Sequence, residues 1–208
     1  MPAVVNVAPI VYVLDDDISI RESLDGLIRQ AGWQSLSFSS ARDFLSHQHL
    51  AGPCCLILDL ALPDLNGLDL QQQIVAQQEY MPIIFITGYG DIPLSVRAMK
   101  AGAVEFFTKP FDENALLDAI RDAVRRSADR LDAAADIQIL KDRYESLSGR
   151  EREVMALVVT GLLNKQVGGK LGISEITVKA HRGRMMQKMK AASLADLVNI
   201  ASGLGIPR

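Results

Sequence analysis

The stretch IVYVLDDD, residues 10–17, places five apolar residues directly before three carboxylates. The arrangement recurs downstream, with Cys54–Leu58 before Asp59, Ile83–Ile86 before Thr87 and Val104–Phe107 before Lys109. Helix-like stretches lie between these runs, so residues 1–124 read as repeated strand–helix units around a parallel sheet. Ligands bind outside the carboxyl ends of strands in such sheets. Segments 43, 28 and 22 residues apart along the chain therefore bring carboxylates, a hydroxyl and an amine to one rim.

The spacing predicts five strands and five helices in this half. A second strand covers about Gln34–Phe38. The first helix is signalled by a capping box, Ser19-Ile20-Arg21-Glu22, with an apolar stripe at Ile20, Leu24, Leu27 and Ile28. A second helix spans about Ala41–Gln48, a loop with Pro63 and Gly67 opens the third, and Gly88–Gly90 precedes the fourth. Asp112 caps a long fifth.

Three carboxylates at one rim repel one another unless a cation neutralises them. Hard oxygen ligands in an open site favour Mg2+. With that ion bound, Asp59 is placed to act as a nucleophile toward a phosphoryl group. Lys109 offers a point charge to one phosphoryl oxygen and Thr87 a hydroxyl to another. Singly, each group has an ordinary reading, since an aspartate after a strand often caps a helix. Jointly, independent strands supplying matched groups at one edge point to phosphoryl chemistry.

The wider composition sets bounds. The 208 residues are 49% apolar and 23% charged, enough for one large or two small globular domains. No apolar run reaches the roughly 18 residues of a membrane span, and Met1–Pro9 lacks the form of a signal peptide. The expectation is a cytoplasmic protein with no membrane partner. Cys54 and Cys55 are adjacent on a strand, a poor arrangement for a disulfide, and read as small strand residues. Residues 1–124 hold 7 Lys/Arg against 16 Asp/Glu, whereas residues 125–208 hold 15 against 9. An acidic half joined to a basic half suggests two jobs, the second with a polyanion.

Between the halves, residues 112–145 contain neither Gly nor Pro. They read as one helix of about 33 residues, roughly 50 Å long. A second domain begins near Leu147 with the capping box Ser148-Gly149-Arg150-Glu151. Lys165–Leu171 and Glu175–Met189 are helices joined by the tight turn Gly172-Ile173-Ser174, which describes a helix-turn-helix. At about 100° per residue, Val178, Met185 and Met189 form its buried stripe, while Lys179, Ala180, Gly183, Arg184 and Gln187 face away. Gly168 and Gly169 sit in the motif's first helix at an expected cost of about 1 kcal/mol each relative to Ala.

The first half resembles the receiver domain of two-component response regulators. The likeness rests on Val13–Asp17, on Leu58–Pro63 with Gly67, on Thr87-Gly88 and on Phe106–Phe111. It implies that a sensor histidine kinase phosphorylates Asp59. It further implies that Asp16 binds Mg2+ directly, Asp15 acts through water, and the Ala61 carbonyl completes the set with Asp59. Thr87 and Phe106 match the family's switch pair. Side chains two residues past the phosphorylated aspartate and the switch threonine, here Ala61 and Tyr89, border the hydrolytic water in that family, which implies a long-lived phosphoryl group.

The second half resembles the LuxR/NarL DNA-binding domain through Leu147–Val154, Gly161–Lys165, Leu171–Ser174 and Thr177–His181 with Lys188-Met189. By that likeness Lys179, Ala180 and Gly183, with Arg184 beside them, face the DNA bases. Asn164, Lys165, Thr177 and Lys188 are candidates for phosphate contacts. The combination resembles FixJ-like regulators. Its expected parts are a doubly wound α/β receiver at 1–124, a helical linker at 125–146 and an all-α DNA-binding domain at 147–208. Its expected partners are the kinase, double-stranded DNA, RNA polymerase and, on phosphorylation, a second copy. Two rival readings share parts of this pattern. A haloacid-dehalogenase-like phosphatase would use Asp15 and Asp17 as nucleophile and acid/base, and an adaptor would bind protein without DNA.

Overall fold

Five strands, β1 (Ile10–Leu14), β2 (Gln34–Phe38), β3 (Cys54–Leu58), β4 (Ile83–Thr87) and β5 (Glu105–Thr108), form one parallel sheet ordered β2-β1-β3-β4-β5. The computed structural model describes residues 8–48, 52–77, 81–88 and 92–206. β1, β3 and β4 are buried along their whole length, because alternate side chains enter two different cores. Tyr12, Leu14, Leu56, Leu58 and Phe85 enter the first core. There they meet Phe44 of helix α2 (Ala41–Ser46) and Leu70 and Ile74 of α3 (Gly67–Gln77). Val11, Val13, Ile57, Ile84 and Ile86 enter the second. They meet Leu24 and Ile28 of α1 (Ile18–Gln30) and Leu116 and Ile120 of α5 (Glu113–Glu145). The remaining helix of this half is α4 (Ile92–Lys100).

Two local starts differ in how well the sequence announced them. α1 begins at Ile18, and its cap is Asp17, whose carboxylate accepts the Ser19 N–H at 2.8 Å. The expected box at Ser19–Glu22 is thus replaced by a cap two residues earlier, where the backbone is still extended. Asp112 does cap α5, accepting the Asn114 and Ala115 N–H groups at 2.7 and 3.1 Å. α5 runs unbroken for 33 residues. Its buried Ser127 hydroxyl accepts the Cys54 N–H at 3.1 Å and so anchors the start of β3.

The chain divides into two compact units, residues 1–132 and 133–208. The second holds α6 (Gly149–Val158), α7 (Asn164–Leu171), α8 (Glu175–Met189) and α9 (Leu194–Gly203) around a core that includes Val154, Val167, Val178, Met185, Met189 and Leu197. The capping box at α6 forms reciprocally between Ser148 and Glu151. α7 ends at Gly172, whose φ of 66° is the left-handed region that favours glycine.

The glycine pair in α7 splits into two cases. A Cβ at Gly168 would lie 2.7 Å from the Ile173 carbonyl oxygen, whereas one at Gly169 would meet nothing within 4 Å. Gly168 is therefore what lets the turn close. Gly168→Ala is expected to destabilise the helix-turn-helix by about 1–3 kcal/mol. Gly169→Ala should stabilise it by up to about 1 kcal/mol. Amide hydrogen exchange of α7 and α8 in the full chain checks both signs. Equal effects would contradict the close approach.

Candidate functional site

The strand order places the topological switch between β1 and β3, where an open α/β sheet has its crevice. Leu14 pairs with Leu58 in the register, so the aspartates that follow each strand stand level. The Asp59 N–H donates to the Leu14 carbonyl at 2.9 Å and holds the two strand ends together. Carboxylate oxygens of Asp15, Asp16 and Asp59 lie within 4.8 Å of one another. From the end of β5, Lys109 reaches across and donates to Asp15 Oδ2 at 2.6 Å and Asp59 Oδ2 at 2.8 Å. The Lys109 N–H itself is fixed by the Thr87 carbonyl at 2.8 Å, and the Lys109–Pro110 peptide is cis.

Burial raises the Asp15 carboxyl above its ordinary value, outweighing the Lys109 and Asp17 donors that favour its charged form. Burial works against the Lys109 charge, but the hydrogen bonds and charges of Asp15 and Asp59 outweigh it and lift the amine above the usual lysine value. One ammonium is shared by two buried carboxylates, and Asp16 adds a third, exposed one. The donor chemistry fits a hard divalent cation. There are three carboxylates in reach of one point, against a single positive charge. Among the described residues, no hydrogen bond or ion pair engages the Asp16 carboxylate.

Other predicted members gather at the same rim. Thr87 ends β4 and is buried, and Phe106 packs against the first core with its ring 6.2 Å from that of Phe85. Phe85 pairs with Phe106 in the register, and Thr87 lies two residues past Phe85 on the same sheet face. Ala61 is exposed beside the site, and its N–H donates to Asp59 Oδ1 at 3.1 Å. Tyr89 falls outside the described residues.

Two residues important to this rim had no clear signal in the sequence. Arg21 Nη1 donates to the backbone carbonyls of both Asp15 and Asp16 at 2.8 Å, pinning the loop that carries the acidic pair. Asp64, in the loop after β3, accepts the Ala41 and Arg42 N–H groups at 3.1 and 3.0 Å and so caps α2 from a distance. The Arg42 N–H is the main reason the Asp64 carboxyl lies below its ordinary value. Arg21 does sit one helical turn past Asp17, but Asp64 contacts residues more than 20 positions away. Asp17 is occupied as the α1 cap, so the Asp15/Asp17 spacing serves helix initiation rather than an acid/base pair.

In the second unit, Lys165, Thr177, Lys179, Ala180, Gly183 and Arg184 are all exposed, and Val178, Met185 and Met189 are buried. Two of the expected phosphate-contacting residues have partners inside the unit. Asn164 Oδ1 accepts from Arg182 at 3.0 Å, which ties α7 to α8. Lys188 donates to Glu151 Oε2 at 2.7 Å and to the Ser146 carbonyl at 3.0 Å. Its amine is thus already engaged, and a DNA phosphate would have to compete with a carboxylate. Lys188, with the Ser148 N–H, holds the Glu151 carboxyl below the usual range.

Comparison with known proteins agrees with this division. Residues 11–121 match the response regulator receiver domain, and residues 145–201 match the luxR family of bacterial regulatory proteins. Nodulation protein W of Bradyrhizobium diazoefficiens is 50% identical over 95% of this chain and 87% of its own length. Transcriptional regulatory protein FixJ of the same organism is 39% identical over 94% of this chain and 96% of its own. A solved structure of the response regulator StyR is 47% identical, covering 94% of this chain and 99% of its own, with a TM-score of 0.84. A receiver implies a sensor kinase upstream and a luxR-type domain implies DNA downstream. Among the described residues no helix is long and apolar enough to cross a membrane. The chain belongs to the FixJ-like two-component response regulators, transcriptional regulators in which a receiver domain is followed by a LuxR-type DNA-binding domain.

Proposed function

We propose that Asp59 is the phosphoacceptor, and that its phosphorylation drives dimerisation and sequence-specific binding to DNA. The observation that carries this is the Lys109 amine bridging Asp15 and Asp59 at 2.6 and 2.8 Å. Phosphoryl transfer from a histidine donor breaks its P–N bond and forms a bond between phosphorus and an Asp59 carboxylate oxygen. Lys109 then has a phosphoryl oxygen to pair with in place of the lost Asp59 charge. Asp15, Asp16, Asp59 and the Ala61 carbonyl would hold Mg2+, which when bound neutralises charge on the transferring group. The Thr87 hydroxyl is drawn to the phosphoryl group, and Phe106 turns into the space it leaves.

The organisation that suits this is a receiver at 1–124, a helical linker at 125–146 and a DNA-binding domain at 147–208. The linker's first turn is packed on the receiver through Ser127. Dimerisation uses the face of α4, β5 and α5. In support, Ile92, Val96 and Met99 form an exposed apolar stripe along α4. α8 enters the major groove, with Lys179, Ala180, Gly183 and Arg184 toward the bases and Lys165 and Thr177 toward phosphates. Such a regulator works in the bacterial cytoplasm, with RNA polymerase as its final partner.

Footprinting and sedimentation with and without acetyl phosphate and Mg2+ test this reading. The expected results are a monomer-to-dimer shift and a dyad-symmetric footprint that both need the donor. Lys179→Ala is expected to weaken specific binding by about 1–3 kcal/mol. Lys165→Ala is expected to weaken specific and random DNA alike and to lower the salt slope by about one unit. A chain that stays monomeric and leaves no footprint under saturating donor would refute the proposal.

A further inference from the structure

Ile176 stands at the second position of α8 with 82% of its surface open to solvent, more than the other exposed large apolar residues among those described. Single exposed apolar side chains are common and by themselves mean nothing. The placement of this one is what sets it apart. At about 100° per residue, Ile176, Ala180, Gly183 and Gln187 fall within about 60° of arc, on the side away from buried Val178. Lys179 borders them. The segment from Asn164 to Lys190 carries seven Lys/Arg and one acid, a balance that suits a polyanion as partner.

The face is basic at its edges, and of its four central residues only Gln187 carries a hydrogen-bonding side chain. Ile176 offers an alkyl group, Ala180 a methyl group and Gly183 no side chain. In helix-turn-helix proteins the N-terminal residues of the second helix meet the base edges. The apolar feature in the major groove is the C5-methyl group of thymine, which recognises alkyl side chains. We infer that Ile176 is a base-reading residue that packs against a thymine methyl group in the major groove. This rests on the reading of α8 as the helix that enters DNA. Ile176 thus sets specificity at an A·T pair through burial of a methyl group instead of through a hydrogen bond. Its exposure in the free protein is the surface that DNA covers.

The test uses the full chain activated with acetyl phosphate and Mg2+. A pool of random duplexes is enriched on wild type to give a preferred site. Each thymine of that site is then replaced in turn by uracil, which removes only the C5-methyl group. At one symmetric position, uracil is expected to weaken wild-type binding about fourfold per half-site, and about fifteenfold when both half-sites are changed. Ile176→Ala should bind the thymine site more weakly and respond to uracil there by less than about twofold. Ile176→Val, which keeps a branched alkyl group, should retain most of the discrimination. Because the side chain is exposed, both variants are expected to melt with wild type. If uracil has no effect at any thymine, or weakens wild type and Ile176→Ala equally, the inference fails while the DNA-binding reading stands. If no sequence is enriched, both fall.

Discussion

Asp59→Asn is expected to abolish labelling by acetyl phosphate and Mg2+ while leaving the receiver folded. The amide keeps an oxygen to accept the Ala61 N–H, which now bonds Asp59 Oδ1 at 3.1 Å. Lys109 keeps its 2.6 Å partner Asp15. What is lost is the anionic oxygen that attacks phosphorus, and an amide is no substitute as nucleophile. Intact-mass spectrometry after incubation with the donor reads the result directly. Asp17→Asn serves as the contrast, because that carboxylate caps α1 and should leave labelling intact. Labelling of Asp59→Asn at the wild-type rate would remove Asp59 from its assigned role.

Gly67→Ala is the second large effect, and it arises from one carbon atom. A Cβ there would stand 2.7 Å from the Asp59 carbonyl oxygen, 2.9 Å from the Leu60 Cα and 3.3 Å from Phe85 Cε1. Two of these neighbours are backbone and cannot turn away. The end of β3 must therefore shift, at a cost of about 1–3 kcal/mol. Because that strand end carries Asp59, the shift also moves the nucleophile relative to Lys109. A displacement of about 1 Å slows such reactions by up to roughly a hundredfold. Labelling rate at saturating donor and thermal melting should fall together. Wild-type values for both would mean that the loop relaxes freely.

How much of this was legible in the sequence depended on how far apart the partners lie. The acidic rim could be read because each apolar run ends in its functional group and a parallel sheet aligns those ends. The Ser148–Glu151 box and the Asp112 cap were equally plain, since their partners lie within three residues. The Ser19 box misled because Asp17, two residues earlier, offered a competing cap that the register of α1 favoured. Arg21 on two carbonyls, Asp64 on α2 and Lys188 on Glu151 carry no pattern of spacing, and Asp64 and Lys188 act across more than 20 residues. Lys188 is a phosphate-contact candidate through the likeness to LuxR/NarL domains, and only packing reveals its carboxylate partner Glu151. Ile176 escaped for another reason: it stands ahead of the stretch from Thr177 to Met189 that the buried stripe defines, and it carries no charge to mark it.

α8 is fastened along its whole length. Ser174 caps its start and also meets the Thr177 hydroxyl at 2.8 Å, Arg182 holds Asn164 of α7, and Lys188 holds Ser146 and Glu151 ahead of and within α6. A segment held at start, middle and end has already given up its internal freedom before it meets another molecule. Encounter with DNA then needs no refolding of α8, and less ordering entropy opposes the complex. Association is expected to proceed as rigid-body docking whose speed follows collision frequency and long-range charge attraction, with the dwell time on each site set by the few groups that touch the bases.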